Sequence, residues 1–127
     1  MAEFIKGDIV VIPFPFSDLS QVKKRPAFVV NSLIGDDVVL CQITSQTIRD
    51  KYSIAIKITD FILGGLSVDS NIRPNRIFTA DKNIILYKVG SIKESKTKEV
   101  IQKIIDIIRP SYWTNTVNLT LYLILLL

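Results

Sequence analysis

Three short runs hold the side chains best suited to chemistry. Lys23-Lys24-Arg25 places three cations in succession, Thr44-Ser45-Gln46-Thr47 offers hydroxyl and amide donors, and Arg73-Pro74-Asn75-Arg76 adds a second basic segment. For each run the ordinary reading is a solvated turn, strand end or face. The functional reading is anion binding, because a guanidinium presents a planar fork of donors that matches phosphate oxygens and nearby hydroxyls add short donors. Other chemistries are excluded by residue type. The chain has no histidine and one cysteine, Cys41. That removes Ser-His-Asp and Cys-His nucleophiles, any histidine base, the usual zinc ligand sets and an intrachain disulfide. Without a histidine to activate it, Cys41 reads as an inert core residue.

Charge points the same way. Lys and Arg number 16 against 12 Asp and Glu, giving net +4 and a pI near 9.3. This mild bias suits a polyanionic partner without establishing one. A chain of 127 residues supports one domain and buries a core without staples. Hydrophobic residues at 48% and charged residues at 22% exclude a disordered chain. The first residues carry no secretory signal pattern, so a cytoplasmic location is expected.

The elements that must position these runs are mostly strands. Asp8–Phe14 is a β-branched run that Pro13 and Pro15 confine to an edge or a bend. Residues 17–25 read as a polar loop. Pro26–Ser32 and Val38–Thr44 read as a hairpin around Gly35-Asp36-Asp37. Tyr52–Thr59 alternates Ile54, Ile56 and Ile58 with polar or small residues, the period of a half-buried strand. Gly64-Gly65 breaks the chain, Ser70–Thr79 is extended, and Ile84–Val89 is a further apolar segment. Phe14, Phe16, Phe78 and Tyr87 read as core. Val100, Ile101, Ile104, Ile105 and Ile108 recur at helical spacing, with Ser91 and Glu94 as a capping box and Arg109-Pro110 as the stop. The expected fold is mainly β with one C-terminal helix, a small barrel or sandwich. Residues 1–110 form the domain. Residues 111–127 carry no charge and are too short to span a bilayer. They read as a packed segment, an oligomer contact or a read-through end.

The order of the pieces adds to this. Gly7-Asp8-Ile9-Val10-Val11-Ile12-Pro13-Phe14-Pro15-Phe16-Ser17-Asp18, then Lys24-Arg25-Pro26-Ala27-Phe28-Val29-Val30, then Leu40-Cys41-Gln42-Ile43-Thr44-Ser45-Gln46, then Ser70–Lys82 followed by Ile85–Gly90 and the helix, resembles the MazF/PemK family of toxin endoribonucleases. The resemblance covers Gly7 to about Arg109. It implies an SH3-like β barrel, a homodimer, metal-free cleavage of single-stranded RNA, no cofactor, and a cognate antitoxin protein that blocks the RNA groove. It also implies that Arg25 and Thr44 are catalytic, with Ser45 a neighbouring donor. Lys23, Lys24, Gln46, Arg73, Asn75 and Arg76 are the expected RNA contacts. Many members carry Gln-Ile-Arg-Thr where this chain has Arg76-Ile77-Phe78-Thr79, so a cleavage sequence does not carry over.

Such cleavage uses the ribose 2′-OH as nucleophile and leaves a 2′,3′-cyclic phosphate and a 5′-OH. Arg25 would hold the non-bridging oxygens and Thr44 would donate to them. Arginine holds its proton to above about pH 12 and is a poor base, so Arg25 reads mainly as a stabiliser and a possible acid. Asp18, on the same loop, is the acid/base candidate. Two other readings stand beside the enzyme: a non-catalytic nucleic-acid-binding barrel, and an interaction module that works through its apolar tail.

Overall fold

The computed structural model describes residues 3–15, 22–112 and 123–126. Within the described residues up to Tyr112 the fold has seven strands and one α-helix: β1 (Asp8–Pro15), β2 (Val22–Ser32), β3 (Asp37–Thr44), β4 (Ile54–Ile56), β5 (Phe61–Gly64), β6 (Ser70–Asp81), β7 (Tyr87–Ile92) and α1 (Glu94–Ile108). They form one antiparallel sheet in the order β4-β6-β3-β2-β1-β7-β5, curled into a half-barrel. The expected β fold with one C-terminal helix is what the chain adopts.

Period-2 alternation splits the core between the two faces of the sheet. Ile9, Phe28, Cys41, Ile43, Ile72 and Ile92 point to one face, where Val100 and Ile104 of α1 cover them. Val10, Ile12, Ala27, Val29, Val38 and Leu40 point to the other, flanked by Phe14 and Phe78. A sheet buried on both faces explains why β1 and β3 read as continuous apolar runs. At the far end of β1 a buried carboxylate fixes the entry. Asp8 accepts the Ile5 N–H at 2.9 Å on Oδ2, and on Oδ1 it accepts the Ser91 hydroxyl at 2.8 Å beside Lys88 Nζ at 3.4 Å.

Several expectations are corrected. Lys23, Lys24 and Arg25 do not lie on a loop: they belong to β2, opposite Phe14, Pro13 and Ile12 of β1. There the β2 side chains are polar and exposed or half-buried although their backbone is paired with the apolar end of β1. The strand expected over Tyr52–Thr59 shrinks to Ile54–Ile56, and Ile58 turns out to solvent in a short 3-10 turn. The next strand, β5, was not expected. It ends at Gly64, whose φ of +67° and contact with the Val89 carbonyl suit only glycine. The apolar segment at Ile84–Val89 becomes strand only from Tyr87, in a strand that runs to Ile92, because Lys82–Ile84 coil into a 3-10 turn first. Tyr87 is half exposed, not core. Ser91 does not cap α1, since it lies in β7 and spends its hydroxyl on Asp8; Lys93 holds the cap position without a side-chain bond.

α1 ends at Arg109, whose extended backbone is the one a following proline favours. Most of 111–127 lies outside the described residues. Leu123–Leu126 are helical and exposed. Among the described residues no helix is long and apolar enough to cross a membrane.

Candidate active site

Two interruptions in hydrogen-bond ladders, both beside β3, open the sheet. On one side β3 pairs with β2 only as far as Ala27↔Gln42. The next residue on β2 is Pro26, which has no N–H to extend the ladder. Arg25 and Pro26 therefore part from Ile43 and Thr44. On the other side β3 pairs with β6, and the register jumps from Cys41↔Ile77 to Gln42↔Arg73. Pro74, Asn75 and Arg76 bulge out of that ladder, with the Pro74 ring buried and the other two side chains exposed. Bulges of this kind re-aim the residues beside them.

The gap is a cleft of about 220 Å³. Arg25, Thr44, Gln46 and Arg73 line it together with Ile12, Phe14 and Phe78. Phe14 and Phe78 meet edge to face, with centroids 5.9 Å apart and planes at 85°. They were expected in the core, and they do border the second apolar cluster, but they also wall the cleft. A second cleft of about 400 Å³ adjoins it; Arg25 and Gln46 line both, and Lys23, Lys24, Ser45 and Ser70 line the second alone. The residues singled out in the sequence thus assemble in two joined clefts. Asn75 and Arg76 line neither, and Asp18 lies outside the described residues.

Local bonding orients the donors. Thr44 Oγ1 accepts the Gln46 N–H at 3.2 Å, and Asn71 Nδ2 donates to the Gln46 carbonyl at 3.1 Å. With its oxygen engaged from the backbone side, the Thr44 hydroxyl still has its own proton to donate. Arg73 is half-buried, and its guanidinium pairs with Asp50, Nη2 to Oδ2 at 3.6 Å. Asp50 Oδ1 accepts the Ser53 N–H at 2.8 Å and the Tyr52 N–H at 2.9 Å. Those two backbone bonds, with Arg73 adding to them, hold its carboxyl below the ordinary value of 3.8.

No carboxylate among the described residues lines either cleft. The surface is built to receive negative charge, through the guanidiniums of Arg25 and Arg73, the two lysines and short hydroxyls. Cys41 is fully buried, and burial pushes its thiol up to about 12, so it supplies no thiolate. Sequence reasoning missed Asp50, Gln42 and Asn71. The signal for Asp50 was an acidic residue shortly before Ser53, the pattern of a side chain bonding its own backbone, but its partner Arg73 is distant in sequence.

Solved structures similar to this chain share its fold. MazF of Deinococcus radiodurans superposes with a TM-score of 0.68 at 16% identity, over 85% of this chain and 98% of that one. The same organism's MazE-MazF complex gives 0.67 at 15%, over 82% and 94%. An endoribonuclease from a mycobacterial species gives 0.63 at 14%, over 84% and 91%. No curated protein matches the sequence. Residues 5–108, which include every strand and the whole of α1, match the family of PemK-like, MazF-like toxins. On that match the chain belongs to the PemK-like, MazF-like toxins of type II toxin-antitoxin systems.

Proposed function

We propose that this protein is an endoribonuclease that cuts single-stranded RNA at short sequences without a metal, as a homodimer in the cytoplasm, and is neutralised by a cognate antitoxin. The observation that carries this is the meeting of Arg25, Thr44, Gln46 and Arg73 in one cleft. Similar folds include structures described as endoribonucleases and as toxin–antitoxin complexes.

The chemistry follows from the donor set. Attack by the ribose 2′-OH on the adjacent phosphorus needs no protein nucleophile, which suits a chain with no histidine and one buried cysteine. The 2′-oxygen gives its proton to solvent and bonds to phosphorus as the P–O5′ bond breaks, and the leaving 5′-oxygen takes a proton from solvent, giving a 2′,3′-cyclic phosphate and a 5′-OH. Charge builds on the non-bridging oxygens, where the Arg25 fork and the Thr44 hydroxyl donate. One preorganised donor of this kind is worth about 3–4 kcal/mol in the transition state. Lys23 and Lys24, on the exposed end of β2, add backbone attraction that salt screens.

The test is digestion of a long single-stranded RNA in excess EDTA, with Arg25→Ala and Arg25→Lys in parallel. Wild type should give cyclic-phosphate ends. Both variants should be impaired, because an ammonium does not reproduce the fork. Full activity in either variant refutes the assignment of Arg25. RNA binding without cleavage by the wild type would make the protein a non-catalytic relative.

A further inference from the structure

Arg73 enters the cleft from β6, yet its tether lies on a separate segment. Among the described residues its guanidinium has Asp50 as ion-pair partner, and its Nε is buried without a hydrogen bond. A guanidinium has five N–H donors. One ion pair through Nη2 leaves other donors of the Arg73 fork for an arriving anion. Asp50 is itself fixed, and its two oxygens are divided between two tasks. Oδ1 takes both backbone N–H groups, from Tyr52 and Ser53, while Oδ2 faces Arg73.

We propose that Asp50 is a positioning residue for RNA: its Oδ1 ties down the turn after residue 50, and its Oδ2 holds the Arg73 fork in the cleft to receive a phosphodiester of the RNA backbone. This rests on the ribonuclease reading above. A carboxylate beside a polyanion site would ordinarily weaken binding by repulsion. Here it strengthens binding, because it fixes a cation that would otherwise wander.

The division of labour supplies the test. Asp50→Asn keeps the Oδ1 acceptor and so the turn, but replaces Oδ2 with an amide that cannot pair with Arg73. It also removes a negative charge. Binding is measured on full-length protein with a single-stranded RNA carrying the mapped cleavage sequence, made uncleavable by one 2′-deoxy sugar, across a salt series. Thermal melting runs alongside.

The expected result for Asp50→Asn is a cooperative melting transition that is only slightly lowered, a Kd roughly fivefold weaker, and an unchanged salt slope because Arg73 keeps its charge. Arg73→Ala should weaken binding further and flatten the slope by about 0.7. In the Arg73→Ala background, Asp50→Asn should add no further loss. Tighter or equal binding by Asp50→Asn alone would overturn the proposal, making Asp50 a mere anionic neighbour. So would an equal further loss in the Arg73→Ala background, which assigns the effect to the turn. Should Asp50→Asn fail to melt cooperatively, Asp50→Glu replaces it, and restored pairing with wild-type Kd supports the proposal while a Kd as weak as Arg73→Ala overturns it. Failure of the wild type to bind RNA would refute the ribonuclease reading itself, a result separable from loss of the Asp50 effect alone.

Discussion

Replacing Thr44 with valine separates the catalytic role proposed for it from its structural one. Valine has nearly the same shape and the same preference for strands, so the end of β3 keeps its backbone. What is lost is one hydroxyl. In the resting protein that hydroxyl accepts the Gln46 N–H at 3.2 Å, in an exposed setting where water can replace it. The stability cost is therefore at the low end of a hydrogen bond, about 0.5 kcal/mol. In the transition state of the proposed reaction the same hydroxyl would face growing phosphate charge, where losing one donor costs about 3–4 kcal/mol, or roughly 10²–10³ in rate. The two magnitudes differ enough to be told apart. Single-turnover cleavage of an RNA holding the mapped sequence measures the rate, and melting measures stability. Thr44→Val should cut the rate by two orders of magnitude or more with a small change in melting, and Thr44→Ser should recover most of it. A loss below about fivefold, or a rate loss that tracks a large drop in melting temperature, would refute the assignment.

Three further outcomes are expected. Gly90→Ala should lower stability by about 1–3 kcal/mol, because the new methyl would lie 2.4 Å from the Leu63 carbonyl and 2.9 Å from Phe61, forcing β5 off β7; the rate of the folded fraction should not change, since the cleft is elsewhere. Asp50 has a folded-state pKa below its ordinary 3.8, so its contribution is complete above that value and is lost as pH falls through the lowered one. Acid melting curves of Asp50→Asn should lack that component. Truncation after Pro110 should leave RNA cleavage intact, because residues 5–108 carry the family match and both clefts; loss of cleavage in a folded truncation would give the tail a role in the site.

Local pattern was enough for much of this protein. The apolar runs of β1 and β3, the helix of Val100, Ile104 and their neighbours, and the basic and hydroxyl runs all depend on residue type and short-range period, which a sequence displays directly. The absence of histidine constrained the chemistry before any fold was known. Other features required distant segments to meet. Lys23–Arg25 look like a loop because they are polar, but pairing with β1 makes them strand; a ladder partner outweighs local composition. Ile58 keeps the alternation of its neighbours yet points to solvent, since the strand ends where its partner β6 begins. Phe14 and Phe78 read as core from hydrophobicity alone, and only the gap beside Pro26 and the bulge at Pro74 turn them into walls of a cleft. Asp50 and Arg73 are separated by more than twenty residues and meet only because β4 and β6 pair. Residue type and spacing determined what chemistry this chain could perform; the breaks in two ladders, which depend on which strands pair and where a proline withholds its N–H, decided where the residues proposed for it meet.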